Sequence, residues 1–593
     1  MFIIQYALPI AAALLLIVFF SGLPPLALCR LPQDTPLVQQ ARRSRLLDAG
    51  LILLLTVLYA LVAFRSLGDT RAPESFADMS GRSAVISLDS DAAPSRVLLY
   101  PGVGTGSYQI EYSEDGVNYL TALNFRQSYT DVLKWQILTP ETALRPRTVR
   151  ISCASGLPWL GEVVLLDGDG APIPVSSSVP ALCDEQDCFP REKSFMNSSY
   201  FDEIYHVRTA WEHLNRIWPY ELSHPPLGKS IIGLGIRLLG MTPFGWRFMG
   251  TLFGVLMLPV LYLFAKRLFG GYAVPCLGTL LLASDFLHYV QTRIATIDSF
   301  AVFFILCMYL FFYEYCRRDS LPALALCGLS FGLGCATKWT CLYAGAGLGL
   351  LWCAHWVLRF LDALRSEKGA LRRAFRQNVL FCLLFFVLIP GLIYYVSYLP
   401  YGRTMNAPLF SPAYTRLVLD NQQFMFRYHS TVTAQHPYSS RWYQWLLNIR
   451  PILYYLQHGE NGTRSSICAL LNPALCWGGI LSLFVLLYTA IFRRDRKAAF
   501  LLVAYFAQLI PWMFIRRPTF EYHYFASSVF LVLVLCYVFT LMRDNIRGWL
   551  QFALPFTAVS ILLFVLFFPA LSGDFTDYAR ATALMRWLPT WPL

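Results

Sequence analysis

Charged residues are scarce in this chain: Asp, Glu, Lys and Arg make up 14% of its 593 residues, where soluble domains carry about 25%. Hydrophobic residues reach 56% and aromatics 16%, and the mean hydropathy is +0.47. That balance excludes an ordinary soluble protein and makes a bilayer the main solvent. Cysteine spacings that would hold a metal are also missing. Most of the 15 cysteines lie in apolar stretches, where the residue acts as a small buried hydrophobe. Heptads, low-complexity tracts and short repeats are lacking, which excludes coiled coils and repeat arrays. The first apolar run has neither a basic n-region nor a small-residue cleavage site, and Leu28 before Cys29 fits a lipoprotein signal poorly. It reads as a retained helix.

What the chain does have is long apolar runs, each near the ~20 residues that cross a hydrocarbon core. They fall at 7–28, 47–65, 246–265, 271–289, 295–316, 321–338, 341–360, 378–399, 469–491, 498–515, 523–542 and 548–569, which predicts an all-α polytopic membrane protein of about twelve transmembrane helices. The formal charge of +12 does not signal nucleic acid, because the basic residues collect between spans. They sit at Arg42, Arg43 and Arg45, Lys266 and Arg267, Arg317 and Arg318, Arg365 to Arg376, Arg493 to Lys497, and Arg543 with Arg547. The positive-inside rule makes those loops cytoplasmic. Both termini then lie outside with two long loops, 66–245 and 400–468, where chemistry is to be sought. Cys183 and Cys188, close together in the first, are candidates for a disulfide in an oxidising compartment.

The first loop changes character between about 80 and 180. SRVLLYPG, GSYQIEYSEDGVNYL, RTVRISCAS and GEVVLLDGDGAPIPV alternate in polarity, and Asp115-Gly116 and Asp167-Gly168 punctuate them. These are signals of short strands and turns, and they predict an extracytoplasmic β-sandwich. The pattern looks like discoidin or galactose-binding-like modules. Two readings stand side by side: glycan or substrate binding, and a spacer or subunit contact. The organisation read from the sequence is two helices in 1–66, the sandwich in 67–182, a catalytic loop in 183–245, helices in 246–399, a polar, aromatic second loop of little periodicity in 400–468, and helices with a short outside tail in 469–593.

After the sandwich comes SYFDEIYHVRTAWEHL, where Asp202 and Glu203 open an amphipathic stretch, Asp202 expected to act as base and Glu203 to orient acceptor or sugar. An acceptor hydroxyl is a weak nucleophile, so transfer to it benefits from a carboxylate base within hydrogen-bond reach. A phosphate leaving group needs no acid, only cations to hold it. The plain alternative is a helix cap at Asp202 with Glu203 in the first turn. About twenty residues on stands SHPPLGKS, with His224 and Lys229.

The DE pair followed by HPPLGK resembles the protein O-mannosyltransferase family. WRFMGTLFG at 246–254, ASDFLHYVQTRIATIDSF at 283–300, GLSFGLGCATKW at 328–339, MFRYHSTVTAQHPYSSRWYQW, NIRPILYY and RRPTFEYHYF resemble that family's further motifs in order. The resemblance runs from about 200 to 570. It implies a membrane glycosyltransferase fold, a polyprenyl-phosphate-mannose donor, Ser or Thr acceptors on secreted or membrane proteins, and inversion at the sugar carbon. It also implies no cofactor. The extra first helix and the β module depart from the family's usual form, and the β-trefoil of eukaryotic members is absent from 400–468. That absence suggests a bacterial plasma-membrane enzyme working at the outer face.

Charges near or inside spans are costly and mark functional pathways. Arg247, Arg293 and Lys338, expected at outer helix ends, are therefore candidates for a lipid phosphate, with snorkelling to the interface as the alternative. Asp285 and Asp298 are expected to pair with Arg293 or to touch sugar hydroxyls. His436, Tyr438 and Ser439 in HPYSS, with Arg516 and Arg517, are expected to close the donor site or to anchor the interface. Asp202 and Glu203 without a third clear ligand make a poor metal site, so metal independence is expected; loss of activity in a chelator, restored by added ion, would overturn it. The competing readings are a related transferase using another sugar or acceptor, a secondary transporter and a glycan receptor. A transporter would place its polar residues at mid-membrane, and a receptor leaves DE and HPPLGK without a role.

Overall fold

The computed structural model describes residues 36–363, 367–433 and 436–593. The run expected at 7–28, the reading at Leu28 and Cys29, and Arg365 lie outside the described residues, as do the side chains of Arg42 and Arg43. The chain divides into two compact units. One takes the described part of Met1–Arg65, with Leu222–Gly228 and Gly250–Leu593; the other takes Ser66–Glu221 with Lys229–Met249. The sandwich and the DE segment, expected as separate parts, thus belong to one unit.

Among the described residues nine helices are long and apolar enough to cross a bilayer, or ten if one bent pair counts as a single span. The protein is a multi-pass membrane protein. Of the expected spans, about twelve in number, two take an irregular form. The run at 271–289 is two helices, Ala273–Ala283 and Phe286–Arg293, bent by 57°. Asp285 causes the break: its Oδ2 accepts from the His288 amide at 3.1 Å and its Oδ1 from the Asn472 amide at 3.1 Å. A carboxylate that satisfies the orphan N–H groups of a new helix ends the old one. The run at 321–338 is the 17-residue helix Leu321–Thr337, opened by the Ser320 side chain accepting from the Ala323 amide.

Helices approach closely where a side chain is missing. A Cβ built on Gly328 would lie 2.1 Å from the Phe385 carbonyl oxygen, beside a single π-helical turn at Leu384–Leu388. Small residues at such contacts let backbones meet in a bilayer, where no hydrophobic force separates helix from lipid. The loop at 400–468 is more regular than its weak periodicity suggested. It holds the helix Pro412–Thr431, started by Ser411 accepting from the Tyr414 amide, and an antiparallel hairpin of Ile452–His458 with Thr463–Ala469.

The other unit carries a two-sheet sandwich. Its strands are β1 (Ala77–Asp78), β2 (Ser83–Leu88), β3 (Arg96–Pro101), β4 (Gly106–Ser113), β5 (Leu120–Gln127), β6 (Gln136–Leu138), β7 (Thr148–Gly156), β8 (Trp159–Leu166) and β9 (Val175–Ser177). One antiparallel sheet runs β1-β8-β3-β6 and the other β5-β4-β7-β2-β9. Tyr108, Ile110 and Tyr112 alternate inward along β4 to meet Val97, Ile151 and Val163, as the two-residue period of a half-buried strand requires. Asp115 makes the predicted turn, its Oδ1 accepting from the Val117 and Asn118 amides at 2.8 and 2.7 Å. Cys183 and Cys188 are free thiols, which corrects the expected disulfide. Their Sγ atoms turn to different acceptors, the Val163 carbonyl and the Asp187 carboxylate.

Glu162 on β8 is fully buried. It accepts from the Glu185 amide at 3.1 Å and from the Gln186 side chain. Burial, reinforced by the like charges of Asp184 and Glu185, pushes its carboxyl up from the ordinary 4.5 to about 8. Between those values the folded state holds a proton that the unfolded chain releases, so stability is lost as pH rises through that window. Glu162→Gln is expected to flatten the dependence and to stabilise the protein above pH 8 by on the order of a few kcal/mol. Melting curves at pH 5 and 8.5 check this, and an unchanged slope in the variant contradicts it.

Candidate active site

In the unit that carries the sandwich, the DE pair begins the helix Glu203–Leu214. Phe201, just before it, has φ +47°, a left-handed conformation that costs a bulky residue about 1–3 kcal/mol and persists only where its surroundings enforce it. Arg247 enforces it. Its Nε and Nη2 donate to the two Glu203 oxygens at 2.7 and 2.8 Å, its Nη1 to the Leu67 and Phe195 carbonyls at 2.9 and 2.7 Å, and its Nη2 also to the Ser198 carbonyl at 2.9 Å. Glu203 Oε2 accepts in addition from the Tyr200 amide at 3.2 Å.

Two expectations change here. Glu203 and Arg247 both have side-chain exposures of 0%, and all five guanidinium donors are occupied. Arg247 therefore holds the backbone rather than a lipid phosphate, and Glu203 holds Arg247 rather than a sugar or acceptor. Both fix the backbone that precedes the helix beginning at Glu203. Asp202 is half-buried at the N-cap position, and its side chain makes no cap hydrogen bond, so the capping alternative does not describe it. Lys229, expected to bind substrate, is likewise engaged within the fold. It is fully buried, donating to Glu221 Oε2 at 2.5 Å and to the Glu221 carbonyl at 2.9 Å.

The helical unit holds a cleft at a buried ion pair. Lys338, the C-cap of Leu321–Thr337, pairs with Asp298 at 2.7 Å, so the partner of Asp298 is Lys338 rather than Arg293. Tyr343, Gln508, Trp512, Tyr522 and His523 line the cleft around the pair. His224 Nδ1 lies 3.0 Å from Ser223 Oγ, and its ring meets His429 edge-to-face at 5.4 Å. His429 Nε2 donates to the Ser223 carbonyl at 2.8 Å. Burial, and then the charges of His224, Arg517 and Lys338, hold His429 down at about 4. The contribution of those three charges is the part that would stabilise an anion. Arg517 is half-buried and makes no hydrogen bond or ion pair among the described residues, while Arg516 is exposed.

Other expected site residues serve the fold of this unit. Asp285 is the buried helix cap described above, not a sugar contact. Arg293 donates to the Ala63 and Arg65 carbonyls at 3.1 and 2.7 Å, closing the C-terminal end of Pro36–Ala63, where cations are favoured. His436 accepts from the Tyr438 amide at 3.2 Å and packs edge-on against Phe520 at 5.0 Å. Ser440 and Thr519 exchange hydrogen bonds of 2.7 and 2.6 Å, which brings the HPYSS and RRPTF motifs together. Sequence reading did not single out His429, His523 or Tyr522, although the stretches MFRYHS and EYHYF contain them. Among the described residues, the acids close enough to share an ion are Glu162, Asp184 and Glu185, a group that excludes the DE pair.

Residues 239–400 match the family described as dolichyl-phosphate-mannose-protein mannosyltransferase, and residues 414–591 match the C-terminal four TMM region of protein-O-mannosyltransferase. Together they span more than half of the chain. This chain belongs to the protein O-mannosyltransferase family. Two polyprenol-phosphate-mannose–protein mannosyltransferases are similar along most of their length. That of Mycolicibacterium smegmatis (strain MKD8) is 26% identical over 461 residues, 66% of this chain and 87% of the relative. That of Mycobacterium tuberculosis (strain ATCC 25618 / H37Rv) is 26% identical over 456 residues, 66% of this chain and 86% of the relative. The S. cerevisiae protein O-mannosyltransferase Pmt1-Pmt2 complex bound to the sugar donor aligns with TM-score 0.58 at 12% identity, over 67% of this chain and 89% of that one. The family fold is therefore shared. Both matched stretches begin after the sandwich, so its likeness to discoidin modules rests on strand pattern alone.

Proposed function

We propose that this family member is an inverting glycosyltransferase that moves mannose from a polyprenyl-phosphate carrier to Ser or Thr hydroxyls of exported proteins, at the outer face of a bacterial plasma membrane. The activities named for its relatives support the donor and acceptor classes. The observation that carries the reading is the grouping of His224, Arg517 and Lys338 near His429, whose charges add to burial in holding that imidazole down and suit a phosphate leaving group.

In this scheme the acceptor oxygen bonds to the sugar's anomeric carbon as the bond from that carbon to the phosphate oxygen breaks. The bonding pair leaves on the phosphate, and the acceptor's proton passes to Asp202. Within the helical unit, Lys338, Arg517, His224 and His429 are the groups suited to hold a phosphate, which needs no acid in leaving. A single displacement inverts the sugar carbon. The scheme uses no cofactor and no metal, and activity is expected to survive a chelator.

Transfer of labelled mannose from polyprenyl-phosphate-mannose to a Ser/Thr peptide by the purified protein tests the reading. Lys338→Met is expected to lower kcat/KM for the donor roughly 10- to 100-fold, the worth of a hydrogen bond to a charged group. The double variant Lys338→Met/Asp298→Leu, which leaves no unpaired carboxylate, should remain as low. Wild-type kcat/KM in both variants would remove the cleft from the mechanism. Transfer of a different sugar, or to a glycan or lipid alone, would replace the mannosyl-protein reading.

A further inference from the structure

Within the unit that carries the sandwich, the loop after β5 is built into the DE segment. The Ser199 amide donates to the Leu133 carbonyl at 2.8 Å, and Ser199 Oγ to the Val132 carbonyl at 2.7 Å. In return the Trp135 amide donates to Ser198 Oγ at 3.3 Å. The loop is also fixed from inside, because Asp131 Oδ2 accepts from the Ser128 amide and hydroxyl at 2.8 and 2.6 Å. It presents Tyr129, whose ring stacks on Tyr205 with centroids 6.4 Å apart and planes 23° apart. Tyr205 in turn stacks on Tyr220 at 6.3 Å and 3°.

The far end of this series is pinned as well. The Arg208 guanidinium lies 3.9 Å over the Tyr220 ring, and Glu212 accepts from both Arg208 Nε at 2.8 Å and the Tyr220 amide at 2.6 Å. Tyr205 stands three residues after Asp202, so the two share one face of the helix start. Tyr129 and Tyr220 remain 44% and 46% exposed. Three preorganised aromatic rings, half open to water and adjoining the proposed base, are more than the fold of a sandwich requires.

We infer that Tyr129, Tyr205 and Tyr220 form the seat of an extended acceptor polypeptide, and that the inserted β-sandwich brings Tyr129 to it. An extended chain places alternate side chains on one face every two residues, about 6.6–6.8 Å. The ring spacings of 6.4 and 6.3 Å match that repeat, whereas one mannose ring would cover a single tyrosine. Rigid aromatic surfaces give contact area at little cost in conformational entropy, and rings held in advance by hydrogen bonds lose less on binding. The seat is sequence-tolerant, because the exposed ring edges give apolar contact to many side-chain types and leave selection of the hydroxyl to Asp202. This inference rests on the mannosyl-transfer reading for its acceptor.

The test measures peptide and donor separately on the full-length protein in nanodiscs, with a Thr-containing peptide as probe. Tyr129→Ala and Tyr220→Ala are expected to raise the peptide KM, and its Kd by fluorescence anisotropy, roughly five- to tenfold. The donor KM and the rate at saturating peptide should hold. Tyr129→Phe keeps the stacking and should behave as the parent, as should Val117→Ser on the 78% exposed β4–β5 turn. An unchanged peptide Kd in both alanine variants, or a change in donor KM instead, overturns the inference. A parent that binds peptide through Tyr129 yet transfers no mannose supports the seat and defeats the mannosyl-transfer reading.

Discussion

Asp202→Asn is expected to lower kcat by roughly two to four orders of magnitude, the contribution of a positioned general base, while donor binding and melting temperature stay near those of the parent. The substitution keeps the shape of the side chain and removes its ability to take a proton. Stability should hold because Asp202 is half-buried and does not cap its helix. Single-turnover transfer with both substrates saturating is the measurement, since it separates chemistry from binding. Asp202→Glu should recover part of the rate, because a carboxylate returns at a displaced position. If Asp202→Asn retains transfer to within tenfold, the proton goes elsewhere.

Arg247→Met is expected to destabilise the protein by about 3–5 kcal/mol, because it leaves a buried carboxylate without its countercharge. The loss should appear as a lower melting temperature and as proteolytic nicking within residues 195–203. Activity should fall in proportion to folded protein and then further, since the left-handed Phe201 loses what enforces it. Arg247→Met/Glu203→Leu removes both charges and should regain much of the stability, as replacement of buried ion pairs by apolar residues does elsewhere. It should not regain the activity, because the carbonyls of Leu67, Phe195 and Ser198 lose their common donor. A single variant as stable as the parent would show that this network holds nothing together.

Features with a short sequence signature were legible. Apolar runs betrayed eleven helical stretches among the described residues, and alternation at Tyr108, Ile110 and Tyr112 betrayed a strand. The bend before Phe286 was not legible, because Asp285 depends on the amide of Asn472, 187 positions away. Periodicity carries no trace of such a partner. Arg247 misled for a similar reason. A lone cation at the start of an apolar run reads as a lipid contact, but its acceptors lie as far back as Leu67, 180 positions away. His429 and His523 were passed over because one histidine in an aromatic loop signals little. Folding gives His429 its meaning by setting it on the carbonyl of Ser223, 206 positions away.

The contacts of Arg247 bear on how a sandwich came to stand in a membrane enzyme. Leu67, where the chain sets out toward the strands, and Phe195, where it returns, are two acceptors of one nitrogen, and just beyond them the Asp69 amide donates to the Met196 carbonyl at 2.7 Å. The whole excursion from 68 to 194 departs and re-enters through the same doorway. A duplication or recombination event could lengthen, shorten or exchange it at the cost of a join only a few ångströms wide. Relatives that carry other modules, or none, at the corresponding position are expected to keep an arginine at this gate.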